Sequence, residues 1–538
     1  MKSSSPALAS TLGMIISGSL TDGFAMRLSS HTKLESIKAG KFVCIQTGSY
    51  KFFSLITDLR LDISNPEILL FPPQPHETLL HTIVQKRSMY ALAHLRPMIA
   101  LNNQLECKPV KTIPPHFSHV YEASEEDVAH IFGKEDSTKK YFSIGTPLDM
   151  TTPVCIDLDA FTERSNGIFG KTGTGKTFLT RLILAGLVHS QKAVNLIFDM
   201  HSEYGLQARK EGSNSFVKGL KTLFSEKVAI FSLDPASTRR RGAAPDVTVT
   251  LTYQSLSVSD IISLQHELNL HPTACEAAYL LAAKFKKNWL EKLFAHKNEL
   301  KELAETIGAH PESISALYRK LRALDRLPFF VPSHQSQNVT TDVIQQMMDF
   351  IDRGISVIVE FGNYTSTFCY LLIANIITRR LHDLYIKKTE QFLGSHNKAD
   401  EPKKLMITIE EAHKFLNPQT ARQTIFGTIA REMRKYYVSL LVVDQRPSGI
   451  DTEVLSQIGT KIVSQLNDDK DIGATLTGIA NAQELRGVLA TLETKKQALI
   501  MGHAITMPIV VKTREYDEKF YAALMPPPHT DKIVEQIF

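Results

Sequence analysis

Tryptophan occurs once in 538 residues and cysteine five times. The cysteines (Cys44, Cys107, Cys155, Cys275, Cys369) are isolated, odd in number and form no C-x-x-C pair, which excludes a disulfide framework and a zinc knuckle as the basis of the fold and fits a reducing compartment. There is no run of about 18 uncharged apolar residues, and no basic-then-apolar leader with a small-residue cleavage site opens the sequence. Neither membrane spanning nor secretion is therefore expected, and a cytoplasmic location is. Charge of one sign is also missing: 61 basic against 56 acidic side chains leave only +5. So slight a balance neither requires nor excludes nucleic acid, and a DNA-binding surface would have to come from local patches or from repetition of the chain in an oligomer. No internal repeat or low-complexity segment is evident. What remains is a globular composition, 43% apolar, 22% charged and 8% aromatic, at a length that calls for two or three domains.

The texture changes along the chain. From Gly13 to Leu101 short β-type stretches such as Phe42 to Thr47 and Phe52 to Leu59 alternate with Gly, Asp, Asn and Pro, which reads as a small β-barrel or sandwich; a connector with a short helix around Ser124 to Phe132 completes residues 1–150. Apolar runs then alternate with helical patterns, at Ile168 to Gly170, Thr177 to His189, Val194 to Asp199 and Val228 to Leu233, the signature of a parallel α/β sheet over 151–255. Residues 256–330 read as a helical insertion, with helical stretches over Cys275 to Ile307 and Pro311 to Leu324. The α/β pattern resumes over 331–515, with a strand at Gly354 to Phe361, a helix from Ser366 to Lys388 and strands at Leu405 to Ile409 and Ser439 to Val443. A tail occupies 516–538.

Gly170-Lys171-Thr172-Gly173-Thr174-Gly175-Lys176-Thr177 fits G-x-x-x-x-G-K-[ST] and lies between a short apolar strand and an apolar helix, the context this motif requires. The glycines let backbone N–H groups turn onto phosphates, the helix N-terminus adds its positive dipole, Lys176 reaches the β and γ phosphates, and the Thr177 hydroxyl can ligate Mg²⁺. ATP or GTP binding follows.

Hydrolysis also needs acid at a neighbouring strand end. Leu405 to Ile409 is an apolar strand closed by Glu410 and Glu411. Glu411 is the candidate for orienting or activating the attacking water and Glu410 for the magnesium shell; the plain alternative is an acidic pair starting a helix. Ligands in open α/β sheets sit beyond the carboxyl ends of the strands. Two more strand ends are therefore expected at the same crevice. Asp199, with His201 and Glu203, either senses phosphate or metal or caps the strand-to-loop turn. Gln445, after Leu440 to Asp444, faces the γ-phosphate as a polar sensor or belongs to a turn before Pro447. His413 lacks a second ligand at i+4 and reads as a helix-face residue, so no structural metal is expected. Arg239-Arg240-Arg241 and the segment Arg209 to Lys221 are basic and loop-like, either DNA contacts or solvated faces.

These motifs together resemble the HerA-type ATPases of the HerA and FtsK branch of P-loop proteins. The stretch from Arg164 to Thr177 looks like that family's arginine-led Walker A. Asp199-Met200-His201-Ser202-Glu203-Tyr204 is similar to its D-x-H-x-E-Y signature, and Arg431-Glu432-Met433-Arg434-Lys435-Tyr436 leads into Asp444-Gln445-Arg446-Pro447-Ser448 as in that family. The N-terminal β-rich region resembles the HAS barrel shared with rotary ATP synthases. The resemblance implies a RecA-like P-loop NTPase core of α/β class with an N-terminal β-barrel and a helical insertion. It further implies a homo-hexameric ring that hydrolyses ATP with Mg²⁺ at subunit interfaces and moves double-stranded DNA. Arg164 and one or both of Arg431 and Arg434 would then be charge-stabilising arginines, the finger acting in trans. Two positions depart from the family: Glu410, where Asp is usual, and Asp444, where a small polar residue commonly precedes the Gln. The extra carboxylate at 444 either approaches a polyanion site or turns to the strand's other face.

The expected function is an ATP-driven DNA translocase or helicase working with a nuclease partner of the NurA type or a defence effector, since the chain carries no nuclease motif of its own. A conjugation or secretion motor of the same branch, and a nucleotide-binding ring scaffold with weak hydrolysis, are the alternatives.

Overall fold

The computed structural model describes residues 11–70, 74, 76, 89–209, 216–332, 342–422, 424–432, 435–480 and 482–525. The chain folds as two compact units, one made of 1–158, 169–175 and 460–515, the other of 159–168, 176–459 and 516–538.

In the first unit, strands Gly13–Ser19, Gly23–Leu28, Phe42–Gln46, Tyr50–Ile63, Met89–Asn102 and His119–Glu122 close into a barrel, because Gly23–Leu28 pairs with both Gly13–Ser19 and Met89–Asn102. Closure leaves these strands no free edge. A seventh short strand, Cys107–Pro109, lies along Met89–Asn102. Alternate side chains fill the interior, among them Phe24, Met26, Val43, Ile45, Phe52, Ile56, Leu95 and Val120. The long Tyr50–Ile63 strand shifts register at Phe53/Ser54 and again at Ile56/Asp58, bulges of the kind that bend a ribbon around a small barrel. Helix Glu125–Phe132 follows, started by a capping box between Ser124 and Asp127. The unit's second sheet is antiparallel and joins distant segments, in the order Thr460–Val463, Gln497–Gly502, Ile509–Thr513, Tyr141–Pro147, Val154–Asp157.

The second unit is built on strands in the order Val247–Thr248, Val228–Ser232, Ser356–Glu360, Val194–Asp199, Leu405–Glu410, Val438–Asp444, Asn166–Phe169. From Val247–Thr248 through Val438–Asp444 the pairings are parallel. Apart from the short Val247–Thr248, their side chains are buried almost without interruption, as in sheets covered on both faces by helices, and this is why they read as unbroken apolar runs rather than alternating ones. Helix Lys176–Ser190 is largely buried, and Thr367–Ser395 is buried mainly between Cys369 and Tyr385; the second runs seven residues beyond the expected Lys388.

Between Val247–Thr248 and Ser356–Glu360 the chain makes a helical insertion around buried Trp289, Leu293, Leu303, Ile314 and Leu317. Cys275 to Ile307 is not one helix but the end of Pro272–Phe285 followed by Trp289–Ala295 and Leu300–Ile307. The first break falls at Lys286, whose φ of 50° lies in the left-handed region that no α-helix tolerates. Among the described residues no helix is long and apolar enough to cross a membrane.

Candidate nucleotide-hydrolysing site

Strand Asn166–Phe169 is fully buried and delivers the chain to Gly170, after which helix Lys176–Ser190 begins. Gly173 and Gly175 have φ of 80° and 93°, and a Cβ at either would meet open space. The constraint there is conformational: only glycine turns successive N–H groups to one side without strain. Within the loop the Thr174 hydroxyl donates to the Lys171 carbonyl at 2.7 Å, and Lys171 donates its N–H to Gln465 O at 3.0 Å and its ammonium to Asn467 Oδ1 at 3.2 Å. Thr172 is exposed at the tip; Lys176 and Thr177 are half-buried in the helix's first turn, where N–H groups lack intrahelical partners. Arg164 lies just before the strand, its aliphatic stem against Gly459, whose added Cβ would come within 2.7 Å of it. Its Nε is buried without a hydrogen-bond partner.

Glu410 ends strand Leu405–Glu410 and is gripped from two sides. The Tyr204 hydroxyl donates to its Oε1 at 2.5 Å, while the buried Tyr370 hydroxyl accepts its backbone N–H at 3.0 Å. Burial, reinforced by the charges of Asp199, Glu203 and Glu411, pushes the Glu410 carboxyl up to about 8, against the pull of the Tyr204 hydrogen bond. Asp199 ends Val194–Asp199 and is wholly buried; its oxygens accept from the N–H groups of Glu203, Tyr204 and Gly205 at 2.7, 2.8 and 3.2 Å. Burial and then the charge of Glu360 push it up to about 6. This is the geometry of a strand-to-loop cap, and it sets Tyr204 over Glu410.

Glu411 has φ of 49°, a left-handed backbone that costs a non-glycine residue about 1–3 kcal/mol and turns its side chain off the strand line. Its Oε1 accepts from Gln445 Nε2 at 2.9 Å, so two of the residues expected at the crevice meet directly. Asp444 is buried and turns to His413: it accepts the His413 N–H at 2.6 Å and faces the ring Nδ1 at 3.0 Å. The hydrogen bond to Asp444 raises the His413 pKa. His413 is thus a partner of Asp444 and not a free helix-face residue.

Arg431 lies half-buried on helix Ile425–Glu432, its guanidinium 3.4 Å from the Ala421 carbonyl; Arg434 lies outside the described residues. In the Arg239-Arg240-Arg241 run the first two are exposed, whereas Arg241 pairs with the fully buried Glu360, which also accepts from Thr238. One of the three is therefore committed inside the protein. Lys221 likewise bonds Asp246 at 3.0 Å. Sequence reasoning missed the contributions of Tyr204, Tyr370, Glu360 and Asp444. Tyr204 was visible in its motif and Asp444 as a departure; nothing local marks Tyr370 or Glu360.

Thr177 and Glu410 carry hard oxygens of the kind Mg²⁺ takes, and Gly173 and Gly175 leave room at their loop for phosphate. Residues 142–381 match the family model described as Helicase HerA, central domain. Over 427 residues the chain is 26% identical to the DNA double-strand break repair helicase HerA of Pyrococcus furiosus, covering 74% of this chain and 73% of that one. Over 529 residues it is 23% identical to the protein of the same name from Sulfolobus acidocaldarius, covering 95% and 94%. Over its central domain and most of its length the chain is thus similar to the HerA helicases, and it is an ATP-hydrolysing enzyme with a P-loop α/β core.

Proposed function

We propose that this ATPase is a translocase or helicase of double-stranded DNA, acting in the cytoplasm as a homo-hexameric ring beside a nuclease of the NurA type or a defence effector. The duplex as track is taken from the double-strand break repair role that the relatives' names carry. In this reading Gly170, Lys171, Thr172, Gly173, Thr174 and Gly175 wrap the phosphates of ATP, Lys176 contacts the β and γ groups, and Asp199 holds the loop that bears Tyr204. Thr177 and Glu410 hold Mg²⁺, which supplies neutralising charge on the phosphates when bound. Glu411 orients the attacking water, Gln445 reads the γ-phosphate, and Arg164 with Arg431 and Arg434 stabilises the transferring charge.

The Glu411–Gln445 hydrogen bond carries the hydrolytic reading, because it joins a strained carboxylate and a polar amide at the ends of neighbouring strands in the P-loop's own sheet. The test is steady-state ATP hydrolysis with and without linear duplex, at low and moderate salt. Stimulation by duplex that fades with salt is the expected result, since a motor gripping phosphates loses its grip as counterions compete. Lys176→Ala should abolish nucleotide binding or turnover with the fold intact; full turnover by that variant would sink the assignment.

The desolvated, Tyr204-capped Glu410 favours a second reading, a ring scaffold whose hydrolysis is weakened at this position. Glu410→Asp decides it. A rise in turnover supports the scaffold, and unchanged or lower turnover removes its premise.

A further inference from the structure

We infer that Asp444 is a positioning residue for the hydrolytic step, its carboxylate tying the turn that carries Glu411 to the turn that carries Gln445. The inference rests on the roles proposed above for those two residues and adds what holds them in place. In the parallel register Glu410 lies beside Val443, so the two strands end together and both chain exits leave at the same level. Asp444 spans that gap. Its Oδ2 accepts the His413 N–H at 2.6 Å and faces the His413 Nδ1 at 3.0 Å, while its Oδ1 accepts the Arg446 N–H at 2.6 Å. A residue that merely capped its own turn would need only the last of these contacts, the one to Arg446.

Each candidate is thereby pinned on both sides. Glu411 sits between Glu410, whose N–H is held by the Tyr370 hydroxyl, and the Asp444-bound His413. Gln445 sits between Asp444 itself and Arg446, bound by the same carboxylate. A left-handed backbone at a glutamate persists only where its surroundings over-determine it, and this clamp is what does so. Hydrogen bonds to a buried carboxylate are the strong, short kind suited to that task. Glu411, His413 and Asp444 are close enough to surround a cation, but both Asp444 oxygens already take backbone N–H groups, so the cluster reads as a hydrogen-bonded clamp.

The experiment uses the full chain with linear duplex present and compares Asp444→Asn, His413→Ala and Glu411→Gln with the unmodified protein. The readouts are kcat, KM, affinity for a non-hydrolysable ATP analogue, and melting temperature. Asp444→Asn should lower kcat by about tenfold to a hundredfold, as misplacement of a reacting group does, with KM and analogue affinity within about twofold. His413→Ala, which spares the backbone contact, should lower kcat by a smaller factor in the same pattern; it decides the matter if Asp444→Asn does not fold. The inference is overturned if neither variant lowers kcat more than about twofold while Glu411→Gln abolishes turnover, or if kcat and analogue affinity fall together. Full turnover by Glu411→Gln would instead overturn the hydrolytic reading on which the inference stands.

Discussion

At position 411 backbone and chemistry pull in opposite directions. The left-handed φ of 49° is one that glycine adopts freely and that costs an L side chain about 1–2 kcal/mol, yet the residue there is a glutamate bonded to Gln445. Glu411→Gly should therefore be more stable than Glu411→Ala by about 1 kcal/mol, since alanine keeps the strain without the carboxylate. Denaturant titration of the two variants checks this, and equal stabilities would mean the turn is unstrained. Both should lose about 10²–10⁴ in turnover if the carboxylate serves the attacking water as a general base. The paired acids were legible in the sequence because an apolar run ending in charge is how a buried strand meets a crevice. The strain was not, because φ at a glutamate leaves no mark in its neighbours' identity. Asp444 stood out only as a carboxylate in an odd place; that both its oxygens face backbone N–H groups depends on how two strands far apart in the sequence end side by side.

At the scale of elements, the parallel strands were readable and the helices less so. Val194–Asp199 falls where its apolar run lies, because burial on both faces leaves nothing to choose between positions. Cys275 to Ile307 read as one helical stretch, since an Ala, Leu and Lys-rich segment propagates on propensity and only tertiary packing reveals the turn at Lys286. Nor does local sequence show what ties Val258–Ser263 to Thr367–Ser395. Asp260, fully buried, serves the Ser257 capping box and accepts from Arg379 Nε and Nη2 at 3.0 and 2.9 Å and from Asn375 at 3.1 Å. Arg379→Ala leaves that carboxylate buried and unpaired, so we expect a loss of about 3–5 kcal/mol, seen as an earlier denaturation transition and faster proteolysis of the insertion. An unchanged transition would show that water reaches Asp260. Farther along the same helix burial holds the His382 imidazole below its ordinary range, with its ring against Tyr436 at 5.7 Å. The unfolded chain then takes up the proton first as pH falls. The His382 contribution to stability should decline once pH drops below about 6.5 and level off after pH passes the lower folded value. His382→Phe should flatten this part of the melting-temperature profile between about pH 8 and pH 5; an identical slope in both proteins would assign the acid sensitivity elsewhere.

At the scale of the whole molecule, the arithmetic of charge and the placement of arginines lead to the same question. A single chain with a net charge of +5 has little long-range pull on a duplex, whereas a closed ring of identical chains multiplies whatever patch faces the channel. The same closure would place Arg431, half-buried on its helix and at a long 3.4 Å contact from the Ala421 carbonyl, against the nucleotide of the next subunit. Mixed rings separate this arrangement from one in which the arginine serves its own subunit. Lys176→Ala subunits would bind no nucleotide but keep Arg431, and Arg431→Ala subunits would bind nucleotide but lack the arginine. Mixed one to one, about a quarter of interfaces in a ring would pair an intact P-loop with an intact Arg431 from the neighbour. If the arginine acts in trans, the mixture should turn over ATP well above the sum of the two variants alone, because those interfaces regain a group worth about 10³–10⁵ in rate in related P-loop enzymes. If it acts in cis, every subunit of the mixture lacks either the lysine or the arginine, and no interface recovers. Co-assembly is verified by tagging only one variant and recovering the other with it, so a mixture that co-assembles without regaining turnover removes Arg431 as a trans-acting finger.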